Sequence, residues 1–384
     1  MFLRRALPGV IAAAGLMLAG AAVPAHAVEP TQHVDAARTT ALDTGTASSQ
    51  GVSVATLNAG LTSKADGQTL GDLQAGGDER AEKLARTVAQ ERPDVLVLTG
   101  IDVDPEGDTI EVLKDQYLNA AGGSAYRYVY APATNAGVDS GADLDGDGTI
   151  GGAGDALGAG DFPGQASMAV LSVHPIDRTA ARTFSKLTWA EAPGNHLNAS
   201  DVPTEARKDI PLFSTSLWDV PVEVEGDTLH IVATSLSPAS GDGTDAARNR
   251  DQVQLIHDYV TGGANLSSVE DDQGRPGPLS SDTPAVVAGD LGVDISSNAP
   301  AAKTVKSLLR MEDVELDAGT SENWLVRLER LLKDSAAATR VGTSSSRLDY
   351  VIGAGELQNS ESDTKDAVRA GGSTHRMVVA DFDL

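Results

Sequence analysis

The run Val95-Leu96-Val97-Leu98 most constrains the fold, because four consecutive apolar residues are typical of a strand that is buried on both faces. The segment before it, Asp78–Glu91, carries apolar residues at helical spacing and ends at Arg92-Pro93-Asp94. A helix that leads directly into a doubly buried strand indicates a layered α/β fold.

Alternating and apolar runs predict the other strands, and longer periodic segments predict the other helices. The predicted strands are 51–57, 126–130, 168–172, 218–224, 229–235, 285–288, 348–352 and 377–382, and the further helices are 245–259, 300–310 and 321–332. Strands and helices are mixed rather than strictly alternating, which favours two stacked mixed β-sheets flanked by helices.

The first 27 residues have the pattern of a cleavable export signal. Arg4 and Arg5 precede an apolar run, and Ala25-His26-Ala27 is a small-x-small cleavage site. A membrane anchor is the competing interpretation, but Pro8 and several glycines interrupt the run. We therefore expect a secreted or envelope-associated protein with no transmembrane anchor in its mature chain. Residues 28–50 are predicted to be a flexible leader, and residues 51–384 a single domain.

The charge and the composition bear on possible partners. The 384-residue chain has a formal net charge of −26 and only 4% aromatic residues. Nucleic-acid binding depends on cationic contacts to phosphates and on aromatic surfaces for base stacking, so a nucleic-acid partner is disfavoured. The chain has no cysteine, which excludes disulfides and thiolate metal sites.

Several short motifs follow one another along the chain, and their order and spacing are informative. They are Thr56-Leu57-Asn58, Leu98–Asp104, Asp143–Asp155, Trp218-Asp219-Val220-Pro221, Thr234–Pro238, Ala288–Gly292, Asp349-Tyr350-Val351 and Ser373-Thr374-His375. In this order and spacing the chain resembles an exported bacterial branch of the endonuclease/exonuclease/phosphatase family. The resemblance implies a DNase I-like four-layer sandwich and metal-dependent hydrolysis of phosphate esters.

The resemblance assigns the site residues one position at a time. Four residues match the family pattern and are the candidate catalytic residues: Asn58, Asp290, Asp349 and His375. Asp290 would be the carboxylate beside the attacking water or the phosphate, and His375 could act as a base. Mg²⁺ or Mn²⁺ would be the cofactor only if the site is active.

Four other positions depart from the family pattern. Gly100 stands where the family has a metal-holding Glu, Ser235 replaces a His, Gly292 replaces an Asn, and Thr374 replaces the Asp before His375. Serine cannot take up a proton near neutral pH as imidazole does. With Thr374 there, we expect His375 to lack its orienting carboxylate. These losses favour a degenerate site without the family's chemistry.

Two nearby side chains could compensate, or could be structural. The first alternative is that Asp102 or Asp104 replaces the lost Glu, although two residues along a strand shift a carboxylate by several Å. His230 lies five residues before Ser235, which predicts the opposite face of the same strand and a structural role.

The loop after the third predicted strand has the front half of an EF-hand-type calcium loop. Asp143, Asp145 and Asp147 occupy positions 1, 3 and 5, a glycine follows, and Thr149 would offer its backbone carbonyl. Position 12 is a glycine, so Asp155 would have to supply the last ligand. Ordinary Asp/Gly turn chemistry without a metal is the alternative.

Three functions remain open from the sequence. The first is a non-catalytic exported protein that binds an unknown ligand or protein partner on this fold. The second is an active phosphodiesterase or phosphatase with a rearranged site that uses Asp290, His375 and either Asp102 or Asp104. The third is an accessory calcium-stabilised domain at the cell envelope.

Overall fold

The computed structural model describes residues 51–240, 243–314, 346–357 and 375–384, with side chains in the helix after Pro300 described through Leu309. The described residues belong to one compact unit, Ser49–Leu384. The predicted helix 321–332 and Thr374 lie outside the described residues. Within the described ranges, no helix has the length and apolarity that crossing a membrane requires.

The first sheet has five strands in the order β10-β1-β2-β4-β3. Its strands are β1 (Gly51–Leu61), β2 (Val95–Ile101), β3 (Tyr128–Tyr130), β4 (Ser167–Ser172) and β10 (Val378–Asp383). β1 and β2 are parallel, and the remaining pairs are antiparallel. The sheet is therefore mixed, as predicted.

The second sheet also has five strands, in the order β5-β6-β7-β8-β9. They are β5 (Arg182–Thr183), β6 (Leu217–Val224), β7 (Asp227–Ser235), β8 (Ala285–Asp290) and β9 (Asp349–Ala354). Only β7 and β8 are parallel, which makes this sheet mixed too.

The α-helices are α1 (Gln68–Ala75), α2 (Glu79–Glu91), α3 (Asp108–Val112), α4 (Gly243–Val260) and α5 (Pro300–Val314). A π-helical turn, Leu113–Leu118, continues α3, and 3-10 turns form at 153–155, 189–191, 197–199 and 264–266. α1 and α3 were not predicted, because both are short and carry few apolar residues in a clear helical period.

Local residues determine where helix α2 begins and ends. The Asp78 side chain caps the helix by accepting hydrogen bonds from the backbone N–H groups of Arg80 and Ala81. Leu84 and Val88 are buried against the first sheet. The helix ends at Arg92, which has a left-handed backbone (φ 53°) and precedes a proline.

Three buried clusters define four layers. Val54 and Val97 of the first sheet pack against Val220 and Ile231 of the second. A second cluster joins the outer face of the first sheet to α2, and a third joins the outer face of the second sheet to α4 and α5. The order of layers is therefore helices, sheet, sheet and helices, which confirms the predicted sandwich.

Candidate functional site

The candidate site forms where strands of the second sheet end. Asp290 is the last residue of β8, and Asp349, the first residue of β9, lies opposite it in the antiparallel register. Asn58 comes from the first sheet, and its side chain lies close enough to the Asp290 carboxylate to lower the pKa of that group. The structure thus brings together Asn58, Asp290 and Asp349, three of the four predicted catalytic residues.

His375, the fourth, is paired with a carboxylate. Its Nδ1 atom lies 2.6 Å from Oδ2 of Asp349, and both side chains are buried. The expectation that His375 lacks an orienting carboxylate was therefore wrong. That prediction considered only the residue before His375, whereas the partner comes from β9, 26 residues earlier in the chain.

Asp290 lies in an environment that favours its protonated form. Burial, followed by the nearby Asp349 carboxylate, raises the pKa of Asp290 from 3.8 to about 7. His375, the hydrogen bond from the Gly292 N–H and the Asn58 side chain oppose the increase. The Gly292 N–H lies 2.8 Å from Oδ1 of Asp290.

The three titratable groups are close enough to share a cation. One ligand atom from each of Asp290, Asp349 and His375 lies within 4.8 Å of the others. Carboxylate oxygens suit Mg²⁺ or Mn²⁺, so the donor chemistry fits the family's metal in part. However, Asp349 already uses one oxygen for His375.

At Gly100, the Asn58 side chain fills the space that the family's side chain would need. The Gly100 backbone is left-handed (φ +62°), and a Cβ atom added there would lie 2.3 Å from Oδ1 of Asn58. The same Asn58 oxygen accepts a hydrogen bond from the backbone N–H of Gly60. A side chain at residue 100 would therefore have to displace Asn58 from Asp290.

Gly292 is confined even more strongly. Its φ is +64°, and an added Cβ would lie 2.4 Å from the backbone carbonyl oxygen of Ser237. A backbone atom cannot rotate away as a side chain can. The position that carries an Asn in the family therefore accepts only glycine with this backbone.

Ser235 lies directly beside Asp290, since the two residues pair at the ends of β7 and β8. His230 does not reach this point. Its Nδ1 atom lies 2.7 Å from Oδ1 of the fully buried Asp219, whose other oxygen accepts a hydrogen bond from Tyr259. The structural role predicted for His230 agrees with this network beneath α4.

Asp102 and Asp104 are occupied elsewhere. Asp102 accepts hydrogen bonds from the Ser63 and Ala166 N–H groups and from the Thr69 hydroxyl. Asp104 accepts bonds at the start of α3. Within the described residues, neither belongs to the group formed by Asp290, Asp349 and His375.

The acidic loop forms a second cluster of carboxylates. One oxygen each from Asp143, Asp145 and Asp147 lies within 4.8 Å of the others. Asp143 also accepts hydrogen bonds from the N–H groups of Gly146 and Gly148. Asp155 is not in this group, because its two oxygens accept the Leu144 and Gly151 N–H groups and close the loop.

Comparison with known proteins identifies the family of the chain. The model of the endonuclease/exonuclease/phosphatase family matches residues 56–368. Among curated proteins, no sequence matches significantly. A family protein from Beutenbergia cavernae is similar at 19% identity and TM-score 0.47, over 87% of this chain and 72% of that one.

Two further solved structures are among the matches. A family protein from Leptotrichia buccalis is 15% identical with a TM-score of 0.48, over 86% of this chain and 98% of its own. Sphingomyelinase C from Streptomyces griseocarneus is 19% identical with a TM-score of 0.42, over 86% and 99%. The family match spans most of the two-sheet unit, and the chain belongs to the endonuclease/exonuclease/phosphatase family.

Proposed function

We propose that this chain is a non-catalytic or weakly active member of its family, whose metal-dependent phosphoesterase site is degenerate. The observation that carries the proposal is the geometry at Gly100. The resemblance places the family's metal-holding Glu there, yet Asn58 occupies the space that its Cβ would need. The lost ligand is therefore accompanied by a left-handed backbone at Gly100 and by a neighbouring side chain in its place.

Two further positions support the proposal. Gly292 removes a side-chain amide and leaves no room for one, because of the Ser237 carbonyl. Ser235 puts a hydroxyl beside Asp290, where the family has an imidazole. A hydroxyl cannot act as a general base near neutral pH, so proton transfer at this position would be lost.

A hydrolysis assay tests the proposal. The mature protein and its Asp290→Ala variant would be compared on phosphodiesters and phosphomonoesters with Mg²⁺, Mn²⁺ or Ca²⁺. We expect the two proteins to give the same rates. A metal-dependent rate that the variant loses would show that the site is active.

An active hydrolase with a rearranged site is the second candidate. The intact pair of Asp349 and His375 favours it, because an oriented imidazole is the usual general base. Asp290 and Asp349 would hold Mg²⁺ or Mn²⁺, whose charge would stabilise the phosphate and its leaving group. The hydrogen bonds of Asp102 and Asp104 argue against their use in such a site.

We also propose that the acidic loop binds Ca²⁺ as a structural ion. The clustered oxygens of Asp143, Asp145 and Asp147 support this proposal. The carbonyl of Thr149 would be a further ligand, while Asp155 would hold the loop closed rather than coordinate the ion. The ion would order the loop and take no part in catalysis.

Export is a proposal that rests on the first 27 residues. N-terminal sequencing of the exported protein is expected to begin at Val28. The strongly negative chain supports a ligand or protein partner rather than nucleic acid, because a net charge of −26 repels phosphate polymers. Measurable binding of single- or double-stranded DNA at physiological salt would contradict this.

A further inference from the structure

A cleft on the helical layer of the second sheet lies apart from the site above. It is formed by α4, the start of α5, the segment before the turn Leu197–Ala199 and the turn Ala264–Leu266. Its volume is about 470 Å³, within the range of small-molecule sites. None of the four candidate catalytic residues lines it.

A histidine–aspartate pair forms part of the cleft wall. The Nδ1 atom of His196 lies 2.6 Å from Oδ1 of Asp251. The other Asp251 oxygen accepts hydrogen bonds from the indole N–H of Trp189 and the backbone N–H of His196. Because the Asp251 carboxylate engages Nδ1, the opposite ring nitrogen of His196 is left for a ligand.

Two cations line the same cleft. Arg250 and Lys303 are exposed, and neither makes an ion pair with any carboxylate in the described part of the chain. By contrast, Arg182 and Arg275 both bind Asp271. In a chain of net charge −26, two cations on one cleft without an ion-pair partner among the described residues indicate a local preference for an anionic ligand.

The acidic groups of the cleft already have partners. Asp251 accepts bonds from His196 and Trp189. Asp258 accepts side-chain hydrogen bonds from Gln254 and Asn265, at 2.9 and 2.8 Å, and lies 3.0 Å from His257 Nδ1. The oxygens of both carboxylates are thus directed at donors of the protein itself, whereas the side chains of Arg250 and Lys303 are left for a ligand.

The rest of the lining is mixed. Leu255 and Leu266 are buried, Pro193 and Pro300 lie at the cleft surface, and Gln254, Asn265, Asn298 and Thr304 are polar. A ligand that fits has an anionic head and a small body with an apolar side for the leucines and prolines. Two cations match a doubly charged head better than a single carboxylate, because a phosphate monoester carries close to two negative charges near neutral pH. We propose that this cleft binds a small organic phosphate monoester.

Calorimetric titration with phenyl phosphate tests the proposal, in buffer with a chelator so that no divalent ion bridges the phosphate to other carboxylates. Benzoate and benzyl alcohol are the singly charged and neutral comparisons. Phenyl phosphate should bind about tenfold more tightly than benzoate, and benzyl alcohol should not bind measurably. Arg250→Gln and Lys303→Gln should each weaken phenyl phosphate binding by about tenfold.

Two controls locate the binding. Lys306→Gln removes a cation from the same helix as Lys303 but outside the cleft, so it should leave the affinity unchanged. Asp290→Ala should also leave it unchanged. No binding at millimolar phenyl phosphate, or full affinity in the Arg250→Gln/Lys303→Gln protein, would overturn the proposal. Equal loss in Lys306→Gln would overturn it too, since a diffuse charge effect would then explain the binding.

Discussion

A Cβ atom on Gly100 would lie 2.3 Å from Oδ1 of Asn58, although the two residues belong to neighbouring parallel strands. Asn58 in turn lies beside Asp290 and lowers the pKa of its carboxyl group. The glycine therefore does more than omit a metal ligand, because it makes space for an amide beside a site carboxylate. Returning a Glu to this position would restore one family residue and displace another.

This relationship predicts an unusual cost for Gly100→Ala. The left-handed backbone alone should cost about 1 kcal/mol of unfolding free energy, and displacing Asn58 should add about 1–2 kcal/mol. Gly122→Ala is the matched control, since Gly122 has φ +78° and no atom within 4 Å of its added Cβ. Urea unfolding of both variants measures the difference.

An Asn58→Ala background isolates the steric part of that cost. With the amide removed, Gly100→Ala should cost no more than Gly122→Ala. Equal losses for the two glycine variants in the original background would contradict the role assigned to Asn58.

The raised pKa of Asp290 predicts how stability changes with pH. Between its ordinary value of 3.8 and about 7, the native state holds a proton that the unfolded chain has lost. The free energy of unfolding should therefore fall as the pH rises through this window, by at most about 1.4 kcal/mol per unit. Asp290→Asn cannot titrate and should gain stability relative to the parent protein from about pH 5 to about pH 8.

Metal-free urea titrations of both proteins at the two pH values measure this effect. A constant difference between the parent and the Asn variant would show that Asp290 titrates normally. If the parent protein instead gained stability relative to Asp290→Asn as the pH rises, the pKa of Asp290 would be lowered rather than raised.

The buried pair of Asp349 and His375 predicts non-additive mutations. His375→Ala should cost about 3 kcal/mol, because it leaves Asp349 buried beside Asp290 without its imidazole partner. Adding Asp349→Asn removes the unpaired charge and should recover part of the loss. A double-mutant cycle by urea unfolding measures the coupling, and strictly additive losses would argue against the pair.

The acidic loop predicts stabilisation by calcium. With free Ca²⁺ about tenfold above its dissociation constant, the gain should be about 1.4 kcal/mol, seen as a rise in Tm. Asp145→Asn should abolish the gain, whereas Asp161→Asn, outside the three-carboxylate group, should keep it. An unchanged Tm of the parent protein at millimolar Ca²⁺ would contradict calcium binding.

The strands were predictable because burial on both faces leaves a clear trace in the sequence. Val95–Leu98 and Ala285–Ala288 both form interior strands, and the helix before the first of them ends where predicted. α1 and α3 were missed because contacts with the rest of the domain, such as the Tyr117 hydroxyl on the Leu73 carbonyl, hold these short segments.

The site was only partly predictable, because its decisive contacts join distant segments. The motif containing Asp349 identified a site residue, but nothing in the spacing indicated its bond to His375. Likewise, the sequence indicated that Gly100 lacks the metal-holding side chain. It did not indicate that Asn58 fills this space, because that contact depends on the pairing of two adjacent strands. The pair of His196 and Asp251 was not anticipated, since these residues lie 55 positions apart.

Hydrolysis is the most direct measurement. The mature protein would be assayed on a phosphodiester and phosphomonoester panel with Mg²⁺, Mn²⁺ and Ca²⁺, beside Asp290→Ala and His375→Ala proteins whose folding is verified by circular dichroism. A degenerate site predicts rates that are the same in all three proteins and independent of the metal. Metal-dependent turnover that both substitutions abolish would contradict it and establish a rebuilt, active site.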